Sequence, residues 1–470
     1  MPQSALLLGS GFVATPTVEF LANAGVHVTV ACRTLASAQK LAGSFSNTKA
    51  ISLDVNDASA LENAVAQHDV TISLIPYTYH VAVIKVAIKA KKHVVTTSYV
   101  SEAMQELDAE VKAAGITVMN EIGLDPGIDH LYAVDVIDRV HKAGGLVKSF
   151  KSFCGGLPAP ENSDNPLGYK FSWSSRGVLL ALKNNAKYLE SGKEMNVSGL
   201  ELMGTAKPYH TGFLGFNFVA YGNRDSTGYL ERYNIPEAET VIRGTLRYAG
   251  FPEFIKVLVD IGFLLTDEQD FLKEPIAWKE ATKQLLSAKS SSEEDLLAAV
   301  SSKTTFKNDS EKSQLVSGLK WLGIFSDAKI VPRGNPLDTL CGTLEEKMAY
   351  QEGERDLVFL QHLFEIENKD GSKDTITSTL VEYGAPIGSG GYTAMAKLVG
   401  VPCGVGKSSP AATIPSRWQR CLFSTTVKQV LNGTITDKGI LAPMTTSLNK
   451  PLMKELKDNH GIYCVEKIIG

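Results

Sequence analysis

The stretch Ala5-Leu6-Leu7-Leu8-Gly9-Ser10-Gly11-Phe12-Val13-Ala14 constrains the fold more than any other part of the chain. A short apolar run, broken by two glycines and followed by helical periodicity through Ala22, reads as strand, tight turn and helix. That geometry receives a dinucleotide's pyrophosphate. Gly9 allows the turn, Gly11 lets backbone approach the phosphates, Ala14 fills the small third position, and the helix N-terminus offers unpaired N–H donors. The same letters also fit a glycine-rich turn in an unrelated protein, so the decision rests on whether strands and helices keep alternating.

They do. Val26–Cys32 alternates like a second strand. It is followed by a helix near 35–42, a strand at 50–53, a helix near 58–67 and an apolar strand at 70–75. A helix at about 80–90, a strand at 93–98, a helix at 102–114 and a strand at 116–119 complete six strands. Helical crossovers between them imply a parallel, doubly wound sheet of the α/β class.

The end of the second strand discriminates between coenzymes. An NAD enzyme usually places Asp or Glu there for the ribose 2′-hydroxyl, whereas this chain offers Arg33-Thr34, a guanidinium and a hydroxyl suited to a 2′-phosphate. Losing two charge-assisted hydrogen bonds of about 1.5–3 kcal/mol each would weaken binding about a hundredfold or more. Asp54-Val55 lies at the adenine end of such a fold, and Ile75-Pro76 ends the strand along which the nicotinamide half passes. The run Asn120-Glu121-Ile122-Gly123-Leu124-Asp125-Pro126-Gly127-Ile128-Asp129-His130 gathers turn formers and carboxylates at the carboxyl edge of the sheet, where ligands bind in open α/β folds. Asp129 reads equally as a first-turn charge.

With 470 residues, the chain is too long for one core. Composition shifts after a long strand at about 146–155. A helix through Leu182, strands near 213–221 and 239–248, and a pair at 357–367 and 375–383 with an Asp370-Gly371 hairpin turn suggest a second, mixed or antiparallel sheet. Residues 254–327 are helical throughout, with a capping box at Ser291-Ser292-Glu293-Glu294. Net charge of −4 gives no bulk attraction to nucleic acid or anionic membrane. No segment approaches the roughly 18 uncharged apolar residues of a membrane span, and no signal pattern opens the sequence. Cys32, Cys154, Cys341, Cys403, Cys421 and Cys464 are scattered, and no histidine pair has metal-ligand spacing. A cytoplasmic protein with reduced thiols and no metal is the expectation.

Several runs together resemble one family: Gly9-Ser10-Gly11-Phe12-Val13, Ser73-Leu74-Ile75-Pro76, Thr96-Thr97-Ser98-Tyr99, Gly123 to His130, and Gly391-Tyr392-Thr393-Ala394-Met395-Ala396-Lys397. The sequence resembles saccharopine reductase, the NADP-dependent, glutamate-forming saccharopine dehydrogenase family. The resemblance implies a homodimer with three parts. These are a Rossmann domain at 1–130 completed by helices of 390–470, a mixed α/β substrate and dimerisation domain at 131–252 and 330–389, and an all-helical lid at 253–329. It implies NADPH-dependent joining of L-glutamate to L-2-aminoadipate 6-semialdehyde, with imine reduction to L-saccharopine, on the aminoadipate route to lysine. Coenzyme contacts are implied at Ser10 to Val13, Arg33, Thr34, Asp54, Val55, Ile75, Thr97, Ser98, Leu124, Asp125, Pro126, and Ser174 or Ser175. Substrate contacts are implied at Ser98, Tyr99, Asp125, Arg224, Thr245, Leu246 and Arg247.

The chemistry agrees with these positions. A tricarboxylate needs arginines, whose planar forks hold carboxylates bidentately; Arg224 and Arg247 are the candidates, against salt bridges such as Arg224 with Asp225. Hydride transfer needs no protein nucleophile, but a proton must reach the bridging nitrogen. Asp125 is the first candidate for that role and Tyr99 the second, with Cys154 and His130 behind them and ordered water an alternative. A turn-capping aspartate and a packing tyrosine are the competing structural readings. Competing functions are a carboxynorspermidine- or homospermidine-type amine enzyme, a lysine-forming saccharopine dehydrogenase, and a non-catalytic NADP-sensing protein.

Overall fold

The computed structural model describes residues 3–404 and 426–469, so Cys421 lies outside the described residues. The chain divides into two compact units, Met1–Gly145 with Asn368–Ser372 and Ala394–Lys467, and Leu146–Glu367 with Lys373–Thr393 and Ile468–Gly470.

In the first unit the expected alternation is present: β1 (Ser4–Leu8), α1 (Ala14–Asn23), β2 (His27–Cys32), α2 (Leu35–Ala42), β3 (Thr48–Ser52), α3 (Ala58–Ala66), β4 (Val70–Ser73), α4 (His80–Ala90), β5 (His93–Thr96), α5 (Glu102–Gln105), α6 (Asp108–Ala113), β6 (Thr117–Met119) and α7 (Ile128–Lys142). The helix expected at 102–114 is two pieces. Leu107 turns into the core between them, and the Asp108 carboxylate accepts from the Ile440 N–H at 2.7 Å. The sheet is parallel, in the order β6-β5-β4-β1-β2-β3, and gains a seventh strand, Gly439–Leu441, beside β6. Both faces of β1 are covered, which is why Ala5 to Leu8 form an unbroken apolar run rather than an alternating one. Each such leucine contributes about 1.5–3 kcal/mol by burial. Helix α1 packs on the helix Ala394–Gly404, where a Cβ on Gly400 would lie 2.6 Å from the Val13 carbonyl.

In the second unit, β7 (Leu146–Pro158), β8 (Ala186–Glu190), β9 (Lys193–Val197), β10 (Lys207–Tyr209), β11 (Phe218–Gly222), β12 (Thr240–Tyr248), β13 (Asp356–Glu367) and β14 (Lys373–Tyr383) build a mixed sheet. Its path runs β10-β11-β12-β7-β13-β14, with β12 and β7 parallel and the other neighbours antiparallel. The turn at Asp370-Gly371 joins β13 to β14, with Gly371 at φ 83°. The strand expected at 213–221 begins only at Phe218, because a turn in which the Phe216 N–H donates to the Phe213 carbonyl at 3.3 Å occupies its first residues. Helices Phe251–Asp260, Trp278–Leu286, Glu293–Lys303 and Asp309–Leu322 lie in the region expected to be helical throughout, but residues 261–277 break it, forming loop apart from a single helical turn at Asp270–Leu272. The apolar residues of these helices, among them Phe254, Trp278, Val300 and Leu319, belong to the same core cluster as Leu246 and Phe359 of the sheet. The cap of the third of these helices sits one residue later than its sequence pattern suggests: Ser292 accepts from the Asp295 N–H at 3.3 Å.

Candidate active site

The first unit reverses strand order between β1 and β4, and ligands of open α/β sheets bind outside the carboxyl ends of strands at that point. Gly9 leaves β1 with φ 106°, and a Cβ there would lie 2.9 Å from the Leu74 carbonyl oxygen. Only glycine suits that position. Around Gly11 nothing lies within 4 Å of a built Cβ. No side chain caps α1 at Val13, and no acidic residue occupies its first turn. Its N–H groups and positive dipole end are therefore available to an anion. Phe12 is exposed and Ala14 buried.

Arg33 and Asp54 follow the adjacent strands β2 and β3. Arg33 is exposed and makes no salt bridge among the described residues. Asp54 turns back on Asn56, accepting from its backbone N–H at 3.0 Å and its side-chain amide at 2.9 Å. These residues fit an adenosine 2′-phosphate, with Arg33-Thr34 for the phosphate and the α1 N-terminus for the pyrophosphate.

At the ends of β4 and β5 lies a histidine that sequence reasoning did not single out. His80, wholly buried at the start of α4, contacts Ser73 Oγ at 2.9 Å through Nδ1, and Ser98 Oγ at 2.8 Å and Thr96 Oγ1 at 3.1 Å through Nε2. Burial pushes its pKa down to about 4, so the imidazole is neutral around pH 7. It fixes the Ser98 hydroxyl by a neutral contact. In sequence it reads only as one more residue of an apolar helix.

The loop after β6 is built on glycine. A Cβ on Gly127, at φ 147°, would lie 2.1 Å from the Gly123 carbonyl oxygen, and the Gly123 N–H donates to the Pro126 carbonyl at 3.0 Å. The peptide between Asp125 and Pro126 is cis. From Ile116 to Val134 every residue is buried except Asp125. A turn that hides its neighbours thus presents one carboxylate, and the Tyr99 hydroxyl donates to its Oδ1 at 2.8 Å. Two residues expected separately at the site are in contact. Leu124 and Pro126 are buried beneath Asp125, while Ile75, Thr97 and Ser98 lie half-buried along the same edge. His130 is wholly buried within α7 beside Glu121 and Asp129, and Asp129 accepts from the Gly127 N–H as a first-turn carboxylate does.

The remaining candidates belong to the second unit. Arg247 is buried, its guanidinium 4.8 Å from the Tyr169 ring centre and 5.2 Å from that of Phe251. Its Nη1 donates to the Leu246 carbonyl, and no carboxylate pairs with it among the described residues. A buried cation held between rings is well suited to an incoming carboxylate. Thr245 pairs with Cys154 across β12 and β7, so Cys154, Thr245 and Arg247 share one face of the sheet. Leu246 turns the other way into the apolar core, leaving only its backbone to a ligand. Arg243 is also buried, but it donates to the Tyr229 hydroxyl and stacks on that ring. Arg224 is exposed at φ 55°, and neighbouring Asp225 accepts from the Thr227 N–H at 2.8 Å and hydroxyl at 2.6 Å. The Asn223 N–H donates to the Arg243 carbonyl, placing Arg224 beside that residue, whereas Arg247 is about 13 Å further along β12. The two arginines suit separate carboxylates of one extended ligand. Ser174 and Ser175 are engaged locally, Ser174 capping the helix Ser175–Ala181 and Ser175 donating to Glu345 at 2.7 Å.

Among the described residues no group of three or more His, Cys, Asp or Glu could hold a metal ion, and no helix is long and apolar enough to cross a membrane.

Two family models match the chain: the saccharopine dehydrogenase NADP binding domain over residues 5–119 and the saccharopine dehydrogenase C-terminal domain over residues 123–412. The NADP(+), L-glutamate-forming saccharopine dehydrogenase of Pyricularia oryzae is 64% identical, covering 100% of this chain and 99% of its own. That of Saccharomyces cerevisiae is 58% identical over the full length of both. The solved structure of the apo histidine-tagged L-Glu-forming saccharopine dehydrogenase from Saccharomyces cerevisiae covers 100% of both chains, with a TM-score of 0.87. With both halves matched and full-length relatives well above half identical, the chain belongs to the saccharopine dehydrogenase family.

Proposed function

We propose that this protein is an NADP-dependent, L-glutamate-forming saccharopine dehydrogenase. It interconverts L-glutamate and L-2-aminoadipate 6-semialdehyde with L-saccharopine, in lysine biosynthesis. The observation that carries the reading is the Tyr99–Asp125 pair, a half-exposed carboxylate with a phenol on it, at the carboxyl edge of a sheet whose first turn is built for a dinucleotide.

NADPH, when bound, supplies the hydride. The chain's own residues do the rest. Gly9 to Val13 and the α1 N-terminus hold the pyrophosphate, Arg33 and Thr34 the 2′-phosphate, and Ile75, Thr97, Ser98, Leu124 and Pro126 flank the reactive end. Arg224 and Arg247 bind substrate carboxylates and orient the molecule. Condensation of amine and aldehyde releases water, so a proton must reach the departing oxygen. In its acid form Asp125 donates that proton; as a carboxylate it binds the protonated bridging nitrogen, and Tyr99 holds the oxygen that does so. The finer parts of the reading are a homodimer, from the family resemblance, and a cytoplasmic setting, from the scattered thiols.

The test is absorbance at 340 nm with purified protein. NADPH is consumed when glutamate and the semialdehyde are both present, a diamine does not replace glutamate, and NADH serves less well. Arg33→Ala raises KM for NADPH far more than for NADH. Consumption with a diamine and not with glutamate overturns the substrate assignment, and equal changes for the two coenzymes remove Arg33 from the site.

A further inference from the structure

Behind the Tyr99–Asp125 pair lies a chain of buried titratable groups with no part in the chemistry proposed above. Glu121 is wholly buried, yet its backbone sits at φ 59°, an uncommon conformation for a residue with a side chain. Its Oε1 accepts from the Val100 N–H at 2.9 Å, and its Oε2 lies 2.6 Å from His130 Nε2. His130 Nδ1 lies 3.4 Å from Asp129 Oδ2, and Asp129 Oδ1 accepts from the Gly127 N–H at 2.6 Å.

Val100 is bonded to Tyr99, and Gly127 ends the turn that carries Asp125. The links therefore close a ring, from Tyr99 through Val100, Glu121, His130, Asp129 and Gly127 back to Asp125 and its hydrogen bond with Tyr99. One buried carboxylate, through its two oxygens, ties together the two segments whose side chains meet at the surface. Breaking the ring at Glu121 leaves Val100 and His130 without the group that spans them, in a region where unsatisfied polar groups are costly.

We infer that Glu121 and His130 are positioning residues that hold Asp125 against Tyr99 in the geometry needed for proton transfer. The inference rests on the reading that Asp125 and Tyr99 act on the reacting nitrogen and oxygen. A displacement of about 1 Å at a reacting group costs on the order of a hundredfold in rate. Glu121→Gln keeps an oxygen for Val100 but replaces the carboxylate oxygen that faces the His130 ring with an N–H₂, so it alters the ring of contacts at that link with little change in volume.

The experiment is a double-mutant cycle on full-length protein, reading kcat, KM and NADPH affinity by fluorescence titration, with thermal melting as the check on folding. Glu121→Gln is expected to lower kcat about tenfold to a hundredfold, with NADPH affinity within about twofold of the parent. In an Asp125→Asn background the same substitution is expected to change kcat by less than about twofold, because the group it positions is already gone. Equal losses in both backgrounds, or an unchanged kcat in the parent background, overturn the inference. Full activity of Asp125→Asn alone overturns the reading beneath it, and the inference with it. Should Glu121→Gln melt far below the parent, His130→Gln takes its place in the same cycle with the same expectations.

Discussion

The Tyr99 hydroxyl donates to Asp125 Oδ1 at 2.8 Å across 26 positions of sequence, on the one residue between Ile116 and Val134 that is not buried. The phenol's hydrogen bond fixes the direction of that carboxylate. Tyr99→Phe removes the donor and keeps the ring. Its kcat for saccharopine formation falls by roughly one to two orders of magnitude, with the lost activity reflecting Asp125 orientation. Steady-state kinetics with saturating NADPH measure it, and an unchanged kcat assigns Tyr99 to packing.

Gly9 and Gly11 separate stability from coenzyme binding. Gly9→Ala places a Cβ 2.9 Å from a backbone oxygen at a positive φ, and destabilises by about 1–3 kcal/mol. Gly11→Ala enters open space, leaves stability within about 0.5 kcal/mol, and weakens NADPH binding by crowding the phosphates. Urea denaturation and a binding titration on both variants test the contrast. Undiminished NADPH affinity in Gly11→Ala argues that the turn does not receive the pyrophosphate.

His80 makes stability depend on pH in a defined window. Its pKa is lowered from 6.5 to about 4 on folding, so the unfolded chain takes up the proton first as pH falls. The stability this provides is complete above pH 6.5 and is lost between pH 6.5 and about 4, by up to about 3 kcal/mol. His80→Gln lacks that titration. Urea midpoints at pH 7 and 4.5 fall further for the parent than for the variant, and parallel falls contradict the assignment.

Arg247 has no carboxylate partner among the described residues and rests between two rings. Arg247→Met keeps much of the volume and removes the charge. Loss of one charge-assisted pair, about 1.5–3 kcal/mol, raises KM for saccharopine roughly tenfold to a hundredfold while NADPH affinity holds. Oxidation of saccharopine followed at 340 nm reads the change, and unaltered KM places the guanidinium in a structural role.

Features with a local cause were legible in the sequence. The β1 run, the turn at Gly9 and the alternation through β6 follow from periodicity and glycine chemistry, and the Asp370-Gly371 turn from its dipeptide. Partners distant in sequence left no such mark. Gly439–Leu441 joins the sheet beside β6 across more than 300 residues, and a three-residue strand carries no period of its own. Tyr99 and Asp125 were each recognisable as candidates, but their contact was not. Nor was His80, whose partners Ser73, Thr96 and Ser98 converge only when β4, β5 and α4 pack. Leu246 shows the opposite limit, since its neighbours in sequence share a candidate role while strand alternation sends its side chain into the core.

The central claim is that this chain reduces the imine of glutamate and the semialdehyde. Turnover with NADPH dideuterated at nicotinamide C4, followed by mass spectrometry and NMR of the product, tests it most directly. One deuterium on the former aldehyde carbon of saccharopine is the result expected. Saccharopine lacking deuterium there, or coenzyme left unconsumed with both substrates present, would contradict the account.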